Sequence, residues 1–283
     1  MSATPKSKLV CRLMTDRDID DAVRLLSRGF PERDPTFWIK GLRRMSARSM
    51  PEGYPRFGYV LDNGDDLVGI ALLIVAASDD GAVRANVSSW YVEPAFRPYA
   101  NMLLSPALRM ARLTLFNISP SPGTIETIEA QGFARYVSGS FHAVAALSPV
   151  TRGAIAREVT ANDETTPAQL RLLASYGCQC FVVSFNGEEF SFAFRRTRAF
   201  GGRLPNAQLV YCKSVDDFIR FAGPLGRRLL LRGIMFVTID ANGPLVGLAG
   251  RYFADRRPKY YRGDKGPPRL GDLAETELVL FGP

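Results

Sequence analysis

Metal ligands are scarce in this sequence. Its 283 residues include one histidine, His142, and four cysteines. No two cysteines stand at a C-x-x-C spacing, so a zinc centre is not expected and we predict no bound metal. Cys178 and Cys180 fall on one face of a predicted strand, where we interpret them as small core residues of a protein in a reducing compartment.

Long apolar runs and common catalytic motifs are also missing. The most continuous run, residues 67–77, is too short to cross a bilayer, and the first residues lack the apolar core of a signal peptide. We therefore expect a cytoplasmic protein without a transmembrane segment. The absence of a Walker A sequence and of Gly-x-Ser-x-Gly argues against P-loop and serine-hydrolase chemistry.

The composition is that of a folded, basic protein. Hydrophobic residues make up 46% and charged residues 23%, which suffices for a large core. The net charge of +8 and the pI near 9.5 favour an anionic partner. Because the basic residues are spread along the chain without a block of like charge, nucleic acid is not the partner we expect.

The stretch 86–108 organises the first half of the chain. Strand-forming residues run to Val92, and Glu93-Pro94 ends them, since proline cannot donate to a sheet ladder. A short turn with Arg97 leads into a predicted helix over 99–108. A strand, a tight turn and a helix N-terminus make a natural phosphate cradle, although the same pattern also fits an ordinary connection.

The order of predicted elements over about residues 9–147 resembles the GNAT acetyltransferase family. The order is strand, two helices, hairpin, strand, turn, helix, strand, helix, strand. Val92-x-Pro94-x-x-Arg97 before a helix and Glu129-Ala130-Gln131-Gly132-Phe133 at the end of the last helix carry the resemblance. It implies an α/β fold, with a mixed sheet flanked by helices.

The resemblance also implies an activity. Members transfer an acetyl or longer acyl group from acetyl-CoA or another acyl-CoA directly to an amine. Here the acceptor would be a small-molecule or lipid-like amine, and the sequence fixes neither its identity, the acyl chain length nor the oligomeric state. The alternative is a non-catalytic GNAT-like binding protein for an anionic ligand or partner.

Site residues follow from the same resemblance. The Val92 N–H would hold the thioester carbonyl, and Glu93 and Tyr91 beside it are candidates for base or acid, with Tyr136 as a further candidate acid. Ser121 stands where members often have asparagine. The turn that would bind the CoA pyrophosphate comprises Arg97, Pro98, Tyr99, Ala100, Asn101 and Met102.

The sequence departs from the family at this turn. Ala100 and Met102 occupy the two usual glycine positions, and Pro98 removes one N–H donor. Ile128 stands where members often have a catalytic tyrosine. These departures are what a non-catalytic binding protein would show.

The second half repeats the element order of the first. Asn63-Gly64 and Asn186-Gly187 each predict a hairpin turn. We therefore predict two lobes, residues 1–150 with the acyl-CoA site and residues 151–283 as a degenerate GNAT-like lobe. One extended α/β domain is the alternative. Residues 259–262 and 275–280 are predicted to form a closing strand pair.

Overall fold

The computed structural model describes residues 8–78, 81–199, 202 and 204–282. Its strands are β1 (Val10–Leu13), β2 (Gly58–Asp62), β3 (Leu67–Ala77), β4 (Val83–Val92), β5 (Leu113–Asn117), β6 (Ala134–Ala143), β7 (Ile155–Val159), β8 (Gln179–Phe185), β9 (Glu188–Ala199), β10 (Leu204–Cys212), β11 (Phe236–Ala241) and β12 (Gly250–Arg262). Its α-helices are α1 (Ile19–Gly29), α2 (Pro35–Ala47), α3 (Ser105–Leu108), α4 (Pro122–Ala130), α5 (Ala168–Ser175), α6 (Val215–Leu230) and α7 (Glu277–Leu280). Short 3-10 helices cover Asp16–Asp18, Pro94–Leu103 and Ala145–Leu147.

These strands form one mixed sheet in the order β1-β2-β3-β4-β5-β12-β6-β11-β10-β9-β8-β7. β4 runs parallel to β5, β10 runs parallel to β11, and the other paired strands are antiparallel. With helices packed on the sheet, this confirms the predicted α/β class.

The two halves of the chain exchange strands at the centre of this sheet. Each half places five consecutive strands on its own side, β1–β5 and β7–β11. The sixth strand of each half, β6 or β12, lies next to the fifth strand of the other half. The predicted hairpins occupy the second and third places from each edge. The division into lobes 1–150 and 151–283 stays a prediction, because one sheet contains strands from both.

Helices cover both halves of the sheet with separate apolar cores. In the first half, α2 buries Trp38, Leu42 and Met45 against β3, with Trp38 only 3% exposed. The basic amphipathic sequence of α2 thus belongs to a helix packed on the core. In the second half, α6 buries Phe218 and Phe221. Within the described ranges, no helix has the length and apolar character needed to span a membrane.

The predicted closing strand pair is wrong in its second member. Residues 259–262 belong to β12, but Glu277–Leu280 form α7. Thr276 is the N-cap residue of this helix, and its carbonyl accepts the N–H of Leu280 at 3.0 Å. Four apolar or β-forming residues in a row do not distinguish a strand from a short buried helix, which explains the error.

Candidate active site

An opening in the sheet between β4 and β5 defines the candidate site. The two strands pair only from Val83–Asn86 with Leu113–Phe116. Beyond that point β4 carries a bulge: Ser89 and Trp90 together face one residue of β3, and Ser89 has a φ of 48°. A bulge bends its strand and increases its twist. β4 therefore turns away from β5 and leaves backbone groups of both strands open.

The opening contains a cavity of about 290 Å³ with a polar floor and an aromatic wall. Among the described residues, no group of three or more His, Cys, Asp or Glu side chains is placed to hold a metal ion. The polar floor comprises Ser88, Ser89, Asn117, Ser119, Ser121, Thr124 and Glu277, and the aromatic wall comprises Phe30, Phe37, Trp38, Trp90 and Phe281.

Asn86 lies buried at the point where the strands separate. Its amide Nδ2 donates to the Phe116 carbonyl at 3.3 Å, which ties β4 to β5 at the last paired residue. Its Oδ1 accepts the backbone N–H of Glu277 at 3.1 Å. This second bond fixes the start of α7 over the opening, so a segment far along the chain completes the cavity.

Two acidic residues line the cavity, Glu32, which is exposed, and Glu277, which is half-buried. The Glu277 carboxylate accepts a hydrogen bond from the Ser119 hydroxyl. Burial raises the pKa of Glu277, while the Ser119 and Ser88 hydroxyls and the charges of Arg33 and Arg195 pull the pKa down less strongly. A carboxylate with a raised pKa is a better general base than an ordinary glutamate.

Glu277 was not among the site residues that the sequence predicted. The residue follows a loop and begins a helix of four residues, and its contacts with Asn86 and Ser88 of β4 join distant parts of the chain. Its one local signal was an acid beside a short apolar run, which is also typical of a solvated helix start.

Aromatic side chains form the wall opposite the serines. The Phe37 ring lies 5.0 Å from Trp38 and 5.5 Å from Phe281 between centroids. Phe30 lies 5.5 Å from Trp38. Close aromatic packing of this kind makes a stiff apolar surface, suited to an aliphatic arm or an acyl chain.

Of the predicted catalytic residues, Tyr91 and Glu93 flank Val92 but do not line this cavity. The Glu93 carboxylate pairs with Arg28 at 2.7 Å, and Tyr91 packs beside Phe30 at 6.1 Å on the α1 side. The Glu93 N–H donates to Val68 of β3 at 2.9 Å. Because successive strand N–H groups point to opposite edges, the Val92 N–H points away from β3 toward the side of β5, but Val92 is not among the described residues that line the cavity.

Ser121 and Tyr136 lie apart from each other. Ser121 lines the cavity just before α4, with its hydroxyl 3.2 Å from that of Thr124. Tyr136 lies on β6 outside the cavity lining and packs edge-on against Tyr261 at 5.9 Å. Burial raises the pKa of Tyr136 well above its ordinary value, so its hydroxyl keeps its proton at neutral pH.

The turn after β4 differs from the predicted α-helix over 99–108. Residues Pro94–Leu103 form a 3-10 helix, and only Ser105–Leu108 are α-helical. Prolines at 94, 98 and 106 remove N–H donors and account for the difference. The expected α-helix N-terminus at Tyr99 is therefore absent from this described segment.

Side chains of this turn point in different directions. Arg97 and Tyr99 are exposed, and Met102 is 36% exposed. The Asn101 Oδ1 accepts from Gln131 Nε2 at 3.0 Å, so it braces the turn against the end of α4. Ala100 packs against the core beneath.

The second half has a corresponding opening, but backbone fills it. β10 and β11 pair only over Asn206–Gln208 with Phe236–Thr238. Beyond Gln208, β10 no longer pairs with β11. On this edge of β10 the Leu273 N–H donates to the Val210 carbonyl at 2.8 Å, and the Cys212 N–H donates to the Gly271 carbonyl at 2.9 Å. Residues 271–273 thus occupy this edge of β10, whereas the first half retains a cavity at the separation of its parallel strands.

Comparisons with known proteins agree with this geometry. No family model and no curated protein matches the sequence. Solved structures do match. A GCN5-related N-acetyltransferase from Anabaena variabilis is similar over 90% of this chain and 72% of its own, at 10% identity and a TM-score of 0.59. A protein of unknown function from Enterococcus faecalis, described as a probable N-acyltransferase, is similar over 94% of this chain and 73% of its own, at 10% identity and a TM-score of 0.59.

A third similarity is to the glucosamine N-acetyltransferase region of a fungal multi-domain β-N-acetylglucosaminidase. It covers 92% of this chain and 38% of that chain, at 12% identity and a TM-score of 0.55. The chain therefore has the GNAT fold, and the resemblance drawn from its motifs is confirmed at the level of the fold.

Proposed function

We propose that the protein is an N-acyltransferase that moves an acyl group from acyl-CoA directly to an amine. The observation that carries the proposal is the polar cavity at the separation of β4 and β5. In a GNAT fold this opening is where the pantetheine arm of CoA would lie between the strands. Its aromatic wall and polar floor suit a thioester and an amine brought together.

The proposed reaction uses a backbone donor and one carboxylate. The Val92 N–H holds the thioester carbonyl oxygen as negative charge develops on it. The amine nitrogen attacks the carbonyl carbon, the carbon–sulfur bond breaks, and Glu277 takes the proton from nitrogen directly or through one water. The proton then passes to the CoA thiolate. Glu93, Tyr91 and Tyr136 stay predictions for supporting acid–base roles.

The CoA pyrophosphate is proposed to lie over the turn 97–102, with Arg97 as its main donor. None of the described side chains pairs with Arg97, so its guanidinium is available for a phosphate. Ser121 would contact the arm at the start of α4.

A non-catalytic binding protein is the second candidate. The 3-10 geometry of Pro94–Leu103 favours it, because this turn presents fewer aligned N–H groups than an α-helix N-terminus. In that case the cavity would bind an anionic ligand or partner without chemistry.

Calorimetric titration with acetyl-CoA and longer acyl-CoAs tests the proposal. Wild type should bind, and Arg97→Glu should weaken binding about 10- to 100-fold, the worth of a charge-assisted hydrogen bond to phosphate. Arg152→Glu, an exposed arginine in another loop, is the matched control and should bind as wild type does. Absence of binding by wild type would refute the proposal. Binding without thiol release toward any amine tested would favour the non-catalytic candidate.

A further inference from the structure

A second cleft opens directly from the active-site cavity. Its volume is about 960 Å³, near the upper end for sites that hold small molecules. Six cationic residues occur in its lining: Arg33, Arg195, Arg196, Arg198, Arg257 and Lys259. Because side chains alternate along a strand, those of Arg196 and Arg198 lie on the opposite face of β9 from that of Arg195.

Glu277, at the boundary with the cavity, is close enough to act on Arg33 and Arg195, but the cleft itself has no acid in its described lining. Lys259 is neutralised below the surface by Asp240 at 2.9 Å, which leaves Arg33, Arg195 and Arg257. Arg196 and Arg198 donate to the carbonyls of Arg232 and Gly202, and such bonds orient a guanidinium without cancelling its charge.

Arg195 stands at the boundary between the cleft and the cavity. Its Nη2 donates to the Gly282 carbonyl at 2.8 Å, which fixes the side chain. Its buried Nε has no hydrogen-bond acceptor among the described residues. Burial lowers the pKa of Arg195, the nearby charges of Arg33 and Arg257 lower it further, and Cys178 and Glu277 oppose this shift without reversing it. An anion between these guanidinium groups would satisfy the donor and relieve the repulsion.

Arg257 reaches the cleft from a strained bulge. β12 leaves its register with β6 after Ala254 and rejoins it at Lys259, and Arg257 has a φ of 58°. A left-handed backbone costs energy at a non-glycine residue, and such strain is concentrated at binding sites. The bulge takes Arg257 out of the regular pairing of β12 with β6, and Arg257 lines the cleft.

The cleft and the cavity share five lining residues: Arg33, Ser119, Pro120, Arg195 and Leu278. A molecule can therefore place one end beside Glu277 and its body among the arginines. The guanidinium groups of Arg33 and Arg195 therefore lie between the two sites.

We infer that the acceptor is a small amine carrying two or more carboxylate or phosphate groups, which the arginine cleft binds while the amine lies beside Glu277. This inference rests on the proposed acyltransferase function for the role of the amine. Guanidinium groups bind carboxylate and phosphate alike through paired hydrogen bonds, so the cleft would accept either kind of anionic group.

Binding of citrate and of inorganic pyrophosphate, measured by calorimetry, tests the anion site without any reaction. Wild type should bind at least one of them. Arg195→Gln and Arg257→Gln should each weaken binding at least tenfold, and Arg228→Gln, an exposed arginine on α6, should have no effect. Binding should persist at saturating CoA. Circular dichroism of each variant checks that the fold is intact.

Three results would overturn the inference: binding of neither anion, binding unchanged in both cleft variants, or loss of binding when CoA is added. Arginine-dependent binding of RNA or anionic vesicles without binding of either small anion would also overturn it.

Thiol release with matched amines then tests the acceptor itself. Glutamate against glutamine and O-phosphoethanolamine against ethanolamine are suitable pairs. We expect at least tenfold higher kcat/KM for the acidic member of one pair, and Arg257→Gln should remove that preference. Equal kcat/KM within both pairs would overturn the acceptor assignment. Arginine-dependent anion binding with no transfer to any amine would support the anion site while the proposed transferase function fails.

Discussion

Each half of the chain has a pair of parallel strands that separate, but the two openings differ in what occupies them. In each half a parallel pair of strands separates after a buried amide residue, Asn86 or Gln208. Each amide donates to the carbonyl of the next residue, at 3.3 Å for Asn86 and 3.4 Å for Gln208. Beyond these residues the first opening holds a cavity, and residues 271–273 fill the second.

One short segment produces this difference. Residues 271–273 extend the edge of β10, and four positions later Glu277 enters the first opening. The local geometry of parallel strands can therefore make a site or a closed core, depending on what covers it. Closing the second opening also fixes the position of the proposed base in the first.

Of the substitutions proposed here, replacement of Glu277 should have the largest effect, and it should act on kcat. Glu277→Gln keeps the size and the backbone bond to Asn86 but cannot accept a proton, so kcat should fall about 10²- to 10⁴-fold. Glu188→Gln, an exposed acid of the β8–β9 hairpin, is the control from the second half. The measurement is thiol release with a reactive amine.

The pH dependence sharpens this test. Burial raises the pKa of Glu277, so the carboxylate forms only above the usual glutamate range, and kcat/KM should rise with pH through that raised value. Glu277→Gln should lose this rise. An unchanged pH profile in the variant would show that Glu277 is not the base.

The buried ion pair between Asp240 and Lys259 tests whether the halves are separate. Both side chains are under 5% exposed, on the two second-half strands that flank β6. Lys259→Met leaves a buried carboxylate unpaired and should cost about 3–5 kcal/mol in the free energy of unfolding by urea. Adding Asp240→Leu should recover most of this loss.

The exposed Arg28–Glu93 pair of the first half is the comparison, and Arg28→Ala should cost only about 0.2–1 kcal/mol. A single transition in all variants would mean that the shared sheet unfolds as one unit. Two transitions, with only the second shifted by Lys259→Met, would favour independent lobes.

Two leucines of the same segment compare the closed and the open site directly. Leu273 is 2% exposed in the closed opening, and Leu273→Ala should cost about 2–5 kcal/mol. Leu278 is half-buried at the edge of the open cavity, so Leu278→Ala should cost no more than about half of that. Equal costs, measured by urea unfolding, would mean that the first opening is as tightly packed as the second.

The sequence predicted the parts of this comparison that depend on local patterns. The Asn186-Gly187 turn has φ values of 52° and 82°, as its two-residue hairpin requires, and the β2–β3 and β8–β9 hairpins occupy matching places. The end of the strand at Glu93-Pro94 was also predicted correctly, since β4 ends at Val92.

Local sequence patterns did not predict which distant strands and segments pair. The crossing of β6 and β12, the closure of the second opening and the arrival of Glu277 all depend on contacts between distant residues, which periodicity does not encode. The prolines of the turn at 94–103 were visible in the sequence, yet the pattern of apolar residues favoured an α-helix over the observed 3-10 helix.

Substitution of Met102 should have the smallest effect of those proposed, and it tests a feature of the turn that only the first half has. Only the first half has an Arg-x-x-x-x-Met turn beside its opening, and Met102 stands where a GNAT phosphate turn usually has glycine. Met102→Gly should cost about 1 kcal/mol from backbone propensity, because the side chain is 36% exposed and little packing is lost.

CoA affinity should be preserved or should improve in Met102→Gly, since glycine allows closer approach of phosphate to the backbone. Met102→Leu, which keeps the bulk, is the matched control and should bind as wild type does. If wild type binds no CoA and Met102→Gly restores weak binding at the same salt concentration, the methionine blocks the phosphate position and the non-catalytic candidate gains support. Tight binding by wild type that disappears in a folded Met102→Gly would instead make the methionine itself a CoA contact, and the turn would then bind through its side chains rather than through its N–H groups.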